Sequence, residues 1–255
     1  MRVSVVSDVH GRVDALRHAA DGADALVCLG DLILYVDYDD HRNGIFADLF
    51  GAEATARLVE LRTQQRFDEA RVFSESLLKG SPEDRRAMFT GAVRRQYATT
   101  FAAMPTPAYL TYGNVDLPAL YPEFARDGVQ VLDGETVDIG GRVFGFVGGG
   151  LRTPYRTPYE ISDEEFAAKV AAVGAVDVLC CHIPPALPEL LYDVRARRFE
   201  RGSVALLDAI RDTQPGLVLF GHVHNPLVRR RRIGRSECVN VGHFRSTGVP
   251  FMIQY

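Results

Sequence analysis

Carboxylate, imidazole and carboxamide side chains recur in this sequence at one kind of place, immediately after a short apolar run. "VSVV" leads into Asp8 and His10, "ALVCL" into Gly30-Asp31, "AYLTY" into Gly113-Asn114, "DVLCC" into His182, and "LVLF" into Gly221-His222-Val223-His224. Runs of this length and branching read as buried strands, where Asn, Asp and Gly are disfavoured, so the endings call for a reason. Each ending supplies a group able to ligate a metal. Three carry Gly directly before the polar residue, which is expected to let the backbone leave the sheet at unusual dihedrals. Asp8/His10 and His222/His224 are spaced i, i+2, so in extended backbone both members project to one side. A lone Asp-x-His arises often by chance. Here four of the seven histidines fall in these endings, which makes unrelated polar termini a poor explanation. Oxygen and nitrogen donors without thiolate suit Mn, Fe, Zn or Co. A pair of such ions can clamp the attacking and leaving oxygens of a displacement at phosphorus and acidify a bound water.

The elements that must hold these groups are legible in outline. Besides the runs above, "RVFGFV" (142–147) reads as a strand, "LVRRRRI" and "SECVNV" as a hairpin turning near Gly234, and "VPFMIQY" as the closing strand. Helical patterns cover Val13–Ala20, Asp163–Val173 (Ser162 as N-cap, Glu165 completing a capping box) and Gly202–Asp212. Strands alternating with helices, followed by a hairpin-rich end, predict a mixed α/β fold. Residues 37–105 carry no strand signal and predict a helical insertion of two or three helices within one domain of residues 1–255. One helix would run from Ala52 to a Gly80 C-cap, and another would start at Ser81-Pro82. Met88, Phe89 and Tyr97 are assigned to the insertion's own core. The arginine run Arg229–Arg232 reads as alternate charges on a solvated hairpin edge that discourage edge pairing.

Bulk properties exclude several classes. The 255 residues carry 29 basic and 33 acidic side chains, for a net charge of −4, which argues against a protein built to grip polynucleotide or anionic membrane. No stretch is long and apolar enough to span a bilayer. The N-terminus enters a strand directly, without the architecture of a signal peptide. Four cysteines without CxxC spacing, three of them inside apolar runs, predict free buried thiols and a cytoplasmic setting.

The ordered set "DVH … GD … GN … H … GHVH" closely resembles the calcineurin-like metallophosphoesterase superfamily, over about residues 1–36 and 106–255. The resemblance implies a four-layer α/β/β/α sandwich of two mixed sheets, with two divalent or trivalent metal ions (Mn favoured) at one end. Carried over by position, it implies Asp8, His10, Asp31 and His224 at the first metal. Asp31 as a bridge, with Asn114, His182 and His222, is implied at the second. It further implies hydrolysis of a small phosphodiester or phosphomonoester by a metal-bridging hydroxide, with Asn114 and His222 steadying the phosphate and hydroxide. The insertion becomes a lid. A non-catalytic scaffold of the same fold and, below it, a nuclease guided by the arginine run are the competing readings.

Departures from the family pattern narrow the branch. Many members read Gly-Asn-His, where the His protonates the leaving group or holds the phosphate; here Val115 follows Asn114. General acids contribute about 10²–10⁴-fold, so the loss tilts the expectation toward diesters or activated aryl esters. His41, in "YDDHRNG", is the candidate replacement acid. Asp116 reads as the N-cap of a short helix beginning "LPAL". The Asp-Arg-Gly of protein phosphatases is missing after Asp31. The metal-binding Tyr of purple acid phosphatases would fall at Leu34, one residue from Tyr35. Arg152 and Arg156, in the Gly-rich stretch 147–159, could pair with a phosphate. Cys180 and Cys181 are assigned to packing. His243, after "VNVG", lies where the family chain returns toward the site and is placed behind the ligands.

Overall fold

The computed structural model describes residues 1–255 as two compact units, Met1–Leu32 with Thr100–Tyr255, and Ile33–Thr99. The first unit contains every strand. In chain order these are β1 (Arg2–Val6), β2 (Ala25–Cys28), β3 (Ala108–Leu110), β4 (Val129–Val131), β5 (Glu135–Asp138) and β6 (Val143–Val147). A short pair follows, β7 (Gly150–Leu151) and β8 (Glu160–Ile161), then β9 (Val178–Cys181). After a second short pair, β10 (Tyr192–Asp193) and β11 (Arg198–Phe199), come β12 (Leu217–Phe220), β13 (Arg230–Ile233), β14 (Ser236–Asn240) and β15 (Phe251–Gln254).

Two mixed sheets result, ordered β15-β1-β2-β3-β4 and β13-β14-β12-β9-β6-β5. Val3, Val5, Val27 and Leu29 from the first sheet share one buried cluster with Phe144, Phe146, Cys180, Leu219 and Val239 from the second. The sheets therefore pack face to face. Alternation decides the other faces. Cys181, Val218, Phe220 and Cys238 turn outward to meet Phe166, Val170, Leu206 and Ile210 of the helices Asp163–Val173 and Val204–Thr213. On the far side, Ser4 of β1 donates to the carbonyl of Ala19, just beyond the short helix Val13–Leu16. Helices thus cover the outer face of the second sheet, and the turn after Val13–Leu16 lies against the outer face of β1. Each fully buried Phe of this core stabilises the fold by about 1.5–3 kcal/mol relative to exposure.

Register positions the chemistry. The parallel pairs β1–β2 and β2–β3 align Val6 with Cys28 and Cys28 with Leu110. In the other sheet Cys180 aligns with Leu219, and Phe220 with Asn240. Strands β1, β2, β3, β9, β12 and β14 therefore release their chains at their carboxyl ends side by side, the usual place for an α/β site.

The second unit is helical: Ile45–Phe50, Ala52–Thr63, Phe67–Leu77 and most of Pro82–Ala103. Phe46, Leu58, Leu61 and Ala70 form its core, with Tyr35, Phe50 and Phe73 packed against them. Phe89 lies over Tyr35 and Phe50, with ring centroids 6.3 and 6.1 Å away. The single helix expected from Ala52 to Gly80 is broken in two. Gln65 takes φ +59° and the Arg66 amide closes back on the Leu61 carbonyl (2.9 Å), a left-handed stop that the continuous helical pattern did not signal. The helix expected over Val13–Ala20 stops at Leu16, where Arg17 to Gly22 turn instead. Strand β13 lies at a sheet edge with its arginines exposed; Arg230 pairs with Glu237 (2.9 Å) and Arg231 with Glu189 (3.0 Å). No helix is long and apolar enough to cross a membrane.

Candidate metal centre

Six strand ends meet here, and several of their residues are held in strained backbone. Asp8, His10, Asp31 and His222 have φ of 57°, 41°, 55° and 66°. Such left-handed residues cost about 1–3 kcal/mol each and persist where surrounding bonds dictate them. Those bonds are present: the Asp8 amide donates to the Gly30 carbonyl (3.1 Å) and the His10 amide to the Asp31 carbonyl (2.9 Å). The Asp31 and Gly113 amides both donate to Asp116 Oδ2 (2.8 Å each), and the Leu32 amide to Asp116 Oδ1 (3.0 Å).

Asp116 is therefore no helix cap. It is fully buried, and the 3-10 helix Pro118–Glu123 starts after Leu117 without a side-chain cap. Its carboxylate clamps the Asp31 turn to the Gly113-Asn114 turn. Sequence reasoning missed this role because the three donors come from two distant segments. The glycines also act differently from expectation. Gly30 does need positive φ (+95°), but Gly113 and Gly221 do not. A Cβ on Gly113 would overlap the Asp31 carboxylate, and one on Gly221 would overlap Ser7 and the Asp8 carboxylate. Close approach is what demands them.

The side chains converge. His224 Nε2 lies 3.3 Å from Asp8 Oδ1, and His10 Nε2 lies 3.7 Å from Asp31 Oδ2 and 4.0 Å from Asp8 Oδ1. His182 Nε2 lies 3.5 Å from Asp31 Oδ2. His182 Nε2 and His222 Nδ1 each lie 3.0 Å from Asn114 Oδ1. Thus Asp8, His10, Asp31, Asn114, His182, His222 and His224 stand together. Arg152 and Arg156 are exposed on the loop after β7, with the Arg152 carbonyl accepting from Arg201 (3.4 Å). His41 belongs to the helical unit, beyond the turn that Asp37 closes by accepting the Asp39 and Asp40 amides.

Hydrogen-bond logic shows what the cluster lacks. Glu160 Oε1 accepts the Thr157 hydroxyl (2.8 Å), so Thr157 Oγ1 accepts the Asn114 amide N–H (2.9 Å), and Asn114 Oδ1 faces the histidines. His182 Nδ1 lies 2.9 Å from the Leu29 carbonyl, which can only accept. That nitrogen carries the proton, and the neutral ring turns a lone pair at Nε2 toward Asn114 Oδ1 and Asp31 Oδ2. With Asp31 ionised, its Oδ2, Asn114 Oδ1 and His182 Nε2 are three acceptors facing one another, an arrangement that a cation would complete.

Electrostatics agree. Burial, then the charges of Asp116 and Asp8, push the Asp31 carboxyl well above its usual range. Burial opposes ionisation of Asp8 too, yet the hydrogen bond and charge of His224, with His182 and His10, hold it well below that range. Burial keeps His182 neutral and brings His222 down to about 4. Neutral imidazoles and carboxylates are the ligand forms a divalent ion needs. The neighbouring thiols do not compete: Cys180 and Cys181 are fully buried, and burial pushes both thiols far up.

The model of the calcineurin-like phosphoesterase family matches residues 1–226. The chain belongs to this family. A crystal structure of TT1561 from Thermus thermophilus shares the fold of the phosphoesterase chain, with a TM-score of 0.53 at 14% identity over 99% of this chain and 98% of that one. Among curated proteins none matches. The family is one of metal-dependent phosphoester hydrolases, and Asp8, His10 and Asp31 bring donor atoms within 4.8 Å of one another, a group that could hold a metal ion.

Proposed function

We propose that this phosphoesterase hydrolyses a small phosphodiester or phosphomonoester at a two-ion centre, with Mn²⁺ the favoured metal. The observation that carries the proposal is the donor-free meeting of Asn114 Oδ1, His182 Nε2 and Asp31 Oδ2 beside the Asp8–His10–His224 group. Asp8, His10, Asp31 and His224 would hold one ion, and Asp31, Asn114, His182 and His222 the other. Bound there, the ions supply charge neutralisation for phosphate oxygens and a water acidic enough to attack near neutral pH.

The chain's own residues do the rest. Asp31 would be free to serve both ions through Oδ2, which faces His10 and His182 while Val115 N–H (3.0 Å) fixes its Oδ1. Asn114 keeps its oxygen inward because Thr157 holds its nitrogen. Val115 offers no proton to a leaving group, which favours diesters with acidic leaving groups or activated aryl esters. The four cysteines are free and buried, which supports a reducing, cytoplasmic setting.

The test is Mn²⁺-dependent hydrolysis of bis-p-nitrophenyl phosphate. Asp31→Ala and Asn114→Ala are each expected to reduce turnover at least about a hundredfold. Full activity in either variant would overturn the two-ion proposal.

A further inference from the structure

The loop between β7 and β8 is built around one carboxylate. Glu160, the first residue of β8, accepts the Thr153 amide at Oε2 (2.7 Å) and the Thr157 amide at Oε1 (3.1 Å). Its Oε1 also accepts the Thr153 hydroxyl (2.5 Å) and the Thr157 hydroxyl (2.8 Å). One of these four donors, the Thr157 hydroxyl, also reaches the candidate metal centre, with Oγ1 lying 2.9 Å from Asn114 Nδ2.

The same loop grips the Asn114 backbone. The Tyr159 amide donates to the Asn114 carbonyl (2.8 Å), and the Tyr159 hydroxyl is anchored by Asp133 (3.1 Å) and Lys169 (2.9 Å). A Cβ on Gly150 would lie 2.6 Å from Asn114 Cβ, so that side is closed as well. One freedom remains at the tip of the side chain. The carboxamide can turn either its oxygen or its nitrogen toward His182 Nε2 and His222 Nδ1, each 3.0 Å from the inward atom. The two ends are close in size, so hydrogen bonds choose between them, not packing. A threonine hydroxyl has a single proton to direct. Glu160 takes it, so Thr157 Oγ1 meets Asn114 with a lone pair that only the NH₂ end can answer. Turned over, Asn114 would aim N–H groups at the histidines, donors where an ion needs a lone pair.

We propose that Glu160 is a positioning residue for the Asn114–His182–His222 ion. By taking the Thr157 proton it decides which end of the Asn114 carboxamide faces inward. The inference rests on the two-ion reading above and adds to it the group that sets the sense of its one neutral oxygen ligand. Without that acceptor the Thr157 hydroxyl donates to Asn114 Oδ1, the amide turns over, and one ion loses a ligand.

Metal binding, measured apart from activity, tests this. Purified full-length chain, Glu160→Gln, Asn114→Asp and the variant carrying both are stripped with EDTA and titrated with Mn²⁺ by calorimetry. Circular dichroism and urea midpoints report their folding. Glu160→Gln keeps the size of the side chain, but its amide nitrogen can donate to Thr157 and so release the hydroxyl proton toward Asn114. Asn114→Asp has oxygen at both ends, so turning over changes nothing. Glu160→Gln is expected to bind one of the two ions about tenfold or more weaker, yet to change affinity less than about twofold when added to Asn114→Asp. Thr157→Val, which removes the relay and leaves Glu160 in place, is expected to show the same dependence on residue 114. If Glu160→Gln binds both ions as the parent does, the inference is overturned. Equal weakening with and without Asn114→Asp also overturns it, because Glu160 then only builds the loop. Two ions in the parent, lost in Asp31→Ala, would leave the two-ion reading standing beside either result. A parent chain that takes up no ion would overturn both.

Discussion

Asp116 illustrates how much a single buried carboxylate can organise. It accepts three backbone N–H groups, from Asp31, Leu32 and Gly113, and so joins the Asp31 and Gly113-Asn114 turns, which are far apart in the chain. Its removal would leave those donors buried and unmet, at about 1–3 kcal/mol each. Asp116→Ala is therefore expected to lower unfolding free energy by several kcal/mol in urea titrations, and Asp116→Asn by distinctly less, since its amide oxygen can still accept. Thr157 acts one step further out, through the Asn114 amide. Thr157→Val preserves shape but removes the acceptor that keeps Asn114 Oδ1 inward, and Mn²⁺ affinity by calorimetry should fall about tenfold or more.

At the scale of elements, the parallel strands and their glycine exits decide whether the ligands can meet. Gly113→Ala and Gly221→Ala place a methyl group against the Asp31 carboxylate and amide, and against Ser7 and the Asp8 carboxylate, which must then shift. Both variants are expected to lose bound metal even where circular dichroism still reports a folded chain. The helix Asp163–Val173 offers the opposite case. Its capping box is complete, with the Glu165 amide donating to Ser162 Oγ (3.1 Å) and the Ser162 amide to Glu165 Oε2 (2.9 Å). Ser162→Ala should cost about 1 kcal/mol in urea unfolding and leave metal content unchanged.

For the whole molecule, the clustered charges couple stability, protons and metal. Asp31 has its carboxyl raised by burial and by the Asp116 and Asp8 charges. His224 is raised above 6.5: burial opposes its charge, but the Asp8 hydrogen bond and charge outweigh it. Both groups hold their protons more tightly folded than unfolded. Without a cation, their contribution to stability is full below the unfolded values and is lost as pH rises through the folded ones. A cation must displace those protons, so its affinity grows with pH. The rise in Tm on adding Mn²⁺ to EDTA-treated protein is expected to be small below about pH 5.5 and larger at about pH 8. An equal rise at both would contradict the assigned proton balance.

Much of this was legible from residue order alone. Apolar runs of four or five residues ending in Asp, Asn or His declare both a buried strand and a group that must leave it, because strand burial and polar termini are local properties. The capping box at Ser162 and the turn at Gly234 were readable for the same reason. The tertiary structure alone decided what depends on two segments approaching in space. Gly113 and Gly221 turned out to be required by the carboxylates they touch, not by their own dihedrals. Asp116 became a clamp, and His243 came to lie against His10 and His224, because parallel register delivers β14 to the same edge as β12 and the loop after β1 folds back beside it. Periodicity reports which face of an element is buried; it does not report which neighbour lies against that face.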